Sequence, residues 1–193
     1  MSTLNKMTID LKEFIITGHI NGIKPGISKD KFLFQHPQPD AFNSDPEDFL
    51  TNDVTMSPNI WTYGDIEFHL NKEGILFMIW CDHIGDFYGK LKGGQSIDLH
   101  RWFLEENTTI GCIKLIEILN HENLDFSRSD NKQSESLELH LGNGVQFSFH
   151  LKSHWSEEAE IVKNRKEETS FNNYKLSAFS LFNEDFMTNK QIN

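Results

Sequence analysis

The chain has 193 residues, of which 37% are hydrophobic and 16 are Phe, enough for one ordinary domain or two small lobes that share a sheet. It carries 29 Asp and Glu against 18 Lys and Arg, and its formal net charge of −11 disfavours nucleic-acid phosphates and anionic membranes and favours a basic protein partner. The longest apolar run, residues 75–81, is too short to cross a bilayer, and "MSTLNKMTIDLKEF" has no apolar signal segment, so we expect a cytoplasmic protein without a membrane partner.

Two helices are predicted in the first forty residues. The stretch "TIDLKEFIITG" fits a helix that Thr8 caps and Gly18 ends. Ser28 is placed to cap a second, short helix through "KDKFLF", which Pro37 and Pro39 then end because proline removes a backbone donor. An acidic loop is expected from there to about residue 59.

A hairpin follows the acidic loop. Ile66, Phe68 and Leu70 alternate with polar residues, which is the period-two pattern of a half-buried strand, and "NKEG" supplies the hairpin loop. The next segment, "ILFMIWC", is apolar at every position. It predicts a central strand that is covered on both faces, or a strand that packs under the helices.

The second half of the chain has a similar plan. "IDLHRWFLEEN" fits a short helical turn, and "TTIGCIKLIEILNHENLDF" is the strongest helix pattern, with Thr108 or Thr109 as its cap. "LELHLGNGVQFSFHL" predicts a hairpin that turns at Asn143-Gly144. The pattern apolar-Glu-apolar-His-Leu occurs in both hairpins, which indicates two related units, although alternating strands also produce such matches by chance.

These elements predict an α+β domain over residues 1–154, with an antiparallel sheet covered on one face by helices. The domain would consist of two related helix-hairpin units, at about residues 8–88 and 95–154. Residues 155–193 are predicted to form a polar C-terminal extension, partly helical or loose, in which "YKLSAFSLF" can dock on the body.

Nine histidines raise the question of a metal site, but no CxxC and no HExxH motif occurs. If the hairpins pair, His69 and His140 could converge with Glu67 or Glu138 and bind a metal, whereas solvent-side strand residues are the commoner explanation. Cys81 and the distant Cys112 lie in hydrophobic runs, which predicts two free core thiols. We therefore expect no catalytic residues, no metal and no cofactor.

Binding residues are sought on the strip "IWTYGDIEFHL". Trp61, Tyr63, Asp65 and Glu67 occupy every second position, so the strip is predicted to place aromatic and acidic side chains on one exposed or semi-exposed face. The alternative is that the helices or the C-terminal tail cover the two aromatic rings. No Lys or Arg occurs from residue 32 to residue 71, which makes this region suitable for a cationic partner. The predicted binding residues are therefore Trp61, Tyr63, Asp65, Glu67, Trp102 and Asp40.

The segments "FIITGHINGIKPGISKDKF", "HPQPD", "IWTYGDIEFHL" and "IDLHRW" resemble a family of uncharacterised bacterial proteins over roughly residues 9–151. The resemblance lies in Gly22, Gly26, Pro39, Asp40, Trp61, Tyr63, Gly64, Asp65 and Glu67. The turn at residues 36–40 departs from the family pattern because it lacks the usual Gly. The order of the elements is also similar to the small module of the outer-membrane assembly lipoproteins, which the tandem β-lactamase inhibitor protein doubles. This chain lacks their signal and lipobox Cys, so the similarity implies a binding scaffold and not a lipoprotein.

The sequence favours a non-enzymatic protein-binding module. Its most specific form, implied by the resemblance, is an immunity protein that neutralises a basic bacterial toxin. Two alternatives stay open, a small metal-dependent hydrolase and a structural accessory protein that self-associates. The partner's identity and the oligomeric state are not predicted.

Overall fold

The structure, a computed structural model, describes residues 6–43, 59–85, 88–105, 109–131, 136–151 and 173–186. Ten strands lie in these ranges: β1 (Met7–Asp10), β2 (Ala41–Asn43), β3 (Ile60–Tyr63), β4 (Ile66–Leu70), β5 (Leu76–Cys81), β6 (Ile97–His100), β7 (Phe126–Asn131), β8 (Ser136–Leu141), β9 (Val145–Leu151) and β10 (Tyr174–Phe182). Three α-helices accompany them: α1 (Leu11–Thr17), α2 (Lys29–Gln35) and α3 (Cys112–His121). Short 3-10 turns occur at Trp102–Leu104 and Glu184–Phe186. Most of the predicted acidic loop, residues 44–58, lies outside the described ranges, as does the candidate cap Thr108.

Eight of the strands form one antiparallel sheet in the order β2-β3-β4-β5-β10-β9-β8-β7. Two four-stranded runs thus meet where β5 pairs with β10. The hairpins β4-β5 and β8-β9, both predicted from the sequence, lie in different runs. A separate parallel pair is formed by β1 and β6, in which Ile9 lies opposite Leu99.

The last described strand, β10, is central to the sheet. It pairs with β5 on one side and with β9 on the other. The sequence places this segment in the polar C-terminal extension, where docking on the body is expected. In the structure it joins the two runs of strands, so a described part of the extension belongs to the same sheet as the rest.

The inner face of the sheet carries most of the buried side chains of β3, β4, β5, β8, β9 and β10. Alternate residues of β4, β8 and β9 point inward because successive side chains of a strand point to opposite faces. Phe14 of α1 lies 5.9 Å from Phe179 between ring centroids, and Phe32 of α2 lies 5.3 Å from Phe68. The inner face, the helices and the β1-β6 pair therefore share one hydrophobic core.

The helix boundaries agree with the sequence in part. Ser28 caps α2, since its hydroxyl oxygen accepts from the backbone N–H of Lys31, and Gly18 ends α1 with a left-handed φ of +71°. Thr8, however, does not cap α1. It lies within β1, and the carboxylate of Asp10 accepts from the N–H of Lys12 instead. The N-cap of α3 is Gly111, which makes no side-chain cap hydrogen bond.

The predicted fold class is wrong. The chain is mainly an antiparallel sheet, and it is not an α+β arrangement of two helix-hairpin units with helices covering the sheet. The helices in the described ranges have only 7, 7 and 10 residues. The segments "MTID" and "IDLH" form strands because their apolar residues also fit period two. The helix predicted through Phe126 ends at His121, and Phe126 begins β7.

Both cysteines are free and buried, as predicted. Burial raises the pKa of the Cys112 thiol to about 11 and that of Cys81 higher still. Both thiols are therefore poor nucleophiles at neutral pH. None of the helices in the described ranges is long and apolar enough to cross a membrane.

Candidate protein-binding face

Trp61 and Tyr63 are core residues. Their side chains are 4% and 0% exposed. The strip is not one strand, because Gly64 has a φ of +61° and the chain turns back there, so that Trp61 pairs with Phe68 and Tyr63 with Ile66. The prediction that these two rings share an exposed face with Glu67 is therefore wrong. An alternating pattern does not continue through a hairpin turn.

Asp40 fixes the turn at Gly64 to the loop before β6. The backbone N–H of Gly64 donates to Asp40 Oδ2 over 2.9 Å, and the N–H of Ser96 donates to Oδ1 over 3.0 Å. The N–H of Gln95 lies 3.2 Å from both oxygens. One carboxylate thus satisfies three backbone donors from two loops, which gives Asp40 a structural role that needs no partner.

Asp65 has a similar role on the other side of the turn. Its Oδ2 accepts from the backbone N–H of Lys92 over 2.6 Å, and its own N–H donates to the Lys92 carbonyl over 3.0 Å. The phenol of Tyr63 donates to the Pro37 carbonyl over 2.7 Å. Burial, together with the charge of Asp40, raises the pKa of Tyr63 above its usual value. Most residues of the Pro-Asp and Tyr-Gly-Asp motifs thus hold together the junction between the turn at Gly64 and the loop before β6.

Trp102 lies at another contact between elements. It is half-buried, and the ammonium of Lys12 on α1 lies 5.3 Å from its ring centroid. The same ammonium forms a 2.7 Å ion pair with Glu122, which follows α3. Lys12 thus joins α1 to the end of α3 by an ion pair and to Trp102 by a cation–π contact.

The outer face of the sheet carries an apolar cluster, which we call the outer-face cluster: Phe77, Met78, Trp80 and Phe182. Met78 and Trp80 alternate with the buried Ile79 and Cys81, so they point away from the core. A β-bulge shifts the register between β4 and β5 at Phe77 and turns its ring to the same side, where it lies 6.1 Å from Phe182. All four side chains are half-buried.

Polar residues surround the cluster on the same face. Glu67 lies directly opposite Trp80 in the β4-β5 register, and Ser180 lies opposite Trp80 on β10. The ring of His69 lies 6.2 Å from that of Phe77. Of the predicted binding residues, Glu67 is therefore the one that the structure places on this face, beside an aromatic residue.

Two Glu-His pairs lie on the outer face, one in each run of strands. His69 Nε2 lies 2.8 Å from Glu67 Oε2, and His140 Nε2 lies 3.2 Å from Glu138 Oε2. Because a carboxylate only accepts, these nitrogens act as donors. The hydroxyl of Ser129 lies within hydrogen-bonding distance of both Glu138 and His140.

The two pairs do not converge. Strands β5, β10 and β9 lie between β4 and β8, which separates the pairs by about 19 Å at the usual spacing between strands. Within the described ranges, no group of three or more His, Cys, Asp or Glu side chains is arranged to hold a metal ion. The hydrolase alternative requires His69 and His140 to lie close together, and the structure places them apart.

The sequence missed the outer-face cluster because "ILFMIWC" was consistent with a strand covered on both faces. The signal in the sequence was that large apolar residues occupy both the odd and the even positions of this strand. In an antiparallel hairpin, the residues on the solvent side of a strand are usually polar. The bulge that adds Phe77 to this face has no clear mark in the sequence.

No protein-family profile, curated protein or solved structure matches the chain. The similarity to the bacterial family and to the lipoprotein module remains a prediction.

Proposed function

We propose that this chain is a protein-binding module that recognises a basic protein through the outer-face cluster and its acidic surroundings. In its most specific form it is an immunity protein that neutralises a bacterial toxin. The observation that supports the proposal is the presence of Phe77, Met78, Trp80 and Phe182 together on the outer face of an antiparallel sheet.

The composition of the cluster is that of an interface centre. Aromatic residues and Met are enriched where two proteins bury surface, and Trp is the residue that most often dominates the binding free energy. Each such side chain contributes about 1.5 to 3 kcal/mol when it becomes fully buried. Since the four side chains are half-buried in the chain alone, part of this free energy is available to a partner.

The charge near the cluster favours a basic partner. The side chain of Glu67, beside Trp80, is 24% exposed, and that of Glu138, which lies on the same face but two strands beyond β10, is 41% exposed. Lys175 lies on the same face, at the far end of β10, where it pairs with His150. Together with the net charge of −11, the carboxylates would accelerate the association with a basic protein in a salt-dependent way.

Affinity capture with matched variants tests the proposal. The wild-type chain, Trp80→Ser and the control Ile113→Ser are immobilised and exposed to a lysate of the source cell at low salt. Ile113 is a suitable control because it is an apolar residue of α3, is 40% exposed and lies outside the cluster. We expect one basic protein to be retained by the wild type and by Ile113→Ser, and lost with Trp80→Ser or at high salt. Equal retention by Trp80→Ser would reject the proposed face.

The immunity role has a separate test. The captured protein is produced in a bacterial host with and without this chain, and growth is measured. Toxin neutralisation would be supported if the wild-type chain relieves growth arrest and Trp80→Ser does not. A captured protein that does not affect growth would reject immunity and leave the binding function intact.

A further inference from the structure

A second surface, unrelated to the outer-face cluster, lies beside α2. Phe34 is 90% exposed, the highest value of any large apolar side chain in the described ranges. On the same helix Phe32 is only 1% exposed, because two residues along a helix point in nearly opposite directions. An exposed Phe side chain forgoes the favourable free energy of burial, which a partner that covers it would recover.

Phe34 borders an open groove of about 950 Å³, the α2 groove, whose lining includes Lys24, Pro25, Lys31, Phe34, His36 and Phe186. It shares no residue with the outer-face cluster. Pockets for small molecules enclose most of the ligand surface. A groove whose main apolar side chain is 90% exposed suits an extended peptide better.

The walls of the groove are fixed by backbone contacts. Gly26 N–H donates to the Leu76 carbonyl over 2.8 Å, and Lys29 N–H donates to the Gly74 carbonyl over 2.8 Å. The carbonyl of Phe186 accepts from Asn71 Nδ2 over 2.8 Å. The Phe186 ring packs so closely on Gly26 that an added Cβ there would lie 2.9 Å from the ring. A peptide would therefore meet a preformed surface, which lowers the entropy cost of binding.

The charge of the groove is opposite to that of the chain. Lys24 and Lys31 are both exposed, and none of the described lining residues is Asp or Glu, although the chain has a net charge of −11. Burial lowers the pKa of His36, so the positive charge comes from the two lysines. Asp30, Glu184 and Asp185 are close in sequence to lining residues but do not line the groove.

We propose that the α2 groove binds a short acidic peptide segment of another protein, with one aromatic or large aliphatic side chain of that segment covering Phe34. The lysines select acidic residues on either side of the apolar anchor. This partner differs in charge from the basic protein proposed for the outer face, and the two surfaces share no residue.

Selection from a random peptide library displayed on phage tests the proposal. The full wild-type chain serves as bait, and Phe34→Ser is used for counter-selection. Because Phe34 is 90% exposed, this substitution leaves the core unchanged. We expect enriched peptides that combine Asp and Glu with one large apolar residue. Enrichment of basic or uncharged peptides, or no enrichment once the peptides that bind Phe34→Ser have been removed, would overturn the proposal.

The best enriched peptide is then labelled and titrated by fluorescence anisotropy. We expect binding to weaken at least about tenfold in Phe34→Ser and in Lys24→Glu/Lys31→Glu, and to be unchanged in the control Ile16→Ser. Ile16 is an exposed apolar residue of α1 that does not line the groove. Equal affinity for all variants would refute the site.

Light scattering that shows a dimer of the wild type but not of Phe34→Ser would assign the groove to a second copy instead. Variants of Trp80 should bind the peptide normally, which separates this test from that of the outer face.

Discussion

Replacing Gly64 with Ala should destabilise the fold through the junction between two loops. Gly64 has a φ of +61°, and a Cβ there would press on the Lys92 carbonyl oxygen and lie 2.6 Å from the Gly94 nitrogen. These are backbone atoms, which cannot move aside as a flexible side chain can. The junction must therefore open, and the hydrogen bonds that Asp40 and Asp65 receive across it are weakened.

The expected loss can be estimated in two parts. The left-handed backbone costs an Ala about 1 to 2 kcal/mol relative to Gly. Separation of the loops removes at least two hydrogen bonds, each with a net contribution of about 1 kcal/mol, a value kept low because the carboxylate of Asp40 is exposed to water. Gly64→Ala should thus lower the free energy of unfolding by about 3 to 4 kcal/mol.

Urea denaturation of Gly64→Ala and Gly89→Ala measures the difference directly. Gly89 has a φ of +73°, but no atom of the residues that the structure describes, its two chain neighbours aside, lies within 4 Å of the position that a Cβ would take there, so the control reports the backbone strain alone. We expect a loss of about 1 to 2 kcal/mol for the control, with an unchanged dependence on urea in both variants. Equal losses for the two variants would refute the view that close approach at Gly64 holds the junction.

Two further predictions concern buried polar groups. Tyr63→Phe should lower stability by about 1 kcal/mol at neutral pH because it removes the hydrogen bond to Pro37. Because the pKa of Tyr63 is raised in the folded state, its contribution to the free energy of unfolding is complete below pH 10 and is lost as the pH rises above 10. Tyr63→Phe should therefore show a smaller loss of stability at alkaline pH. The same loss in both proteins would contradict this. Cys81 and Cys112 should resist iodoacetamide at pH 8 in the native chain and react after denaturation, and stoichiometric labelling of the native chain would show that they are not buried.

The sequence predicted local features best where one residue type strongly favours one backbone conformation. Ser28 and Gly18 mark helix ends, and Asn143-Gly144 marks a hairpin, because each residue provides a cap or turn conformation that few others allow. The two hairpins could be identified because polar and apolar residues alternate along them. These signals depend only on neighbouring residues.

The errors arose where distant segments decide the structure. Residues near Ile9 and Ile97 form paired strands, although each segment alone also resembles a helix start. The position of β10 between β5 and β9 depends on pairing between residues far apart in the chain. The turn at Gly64 reverses which face Trp61 and Tyr63 occupy, so one misplaced turn moved two aromatic residues from the core to the predicted binding face.

The measurement that tests the central claim most directly is the affinity of the captured basic protein for the wild type, Trp80→Ser and Ile113→Ser, at low and high salt. If the outer-face cluster is the binding site, Trp80→Ser should weaken binding at least about tenfold, whereas Ile113→Ser should match the wild type. Salt should weaken the wild-type complex because Glu67 beside the cluster and Glu138 on the same face are partly exposed to water. An unchanged affinity for Trp80→Ser would contradict the proposed face and place the interaction elsewhere on the chain.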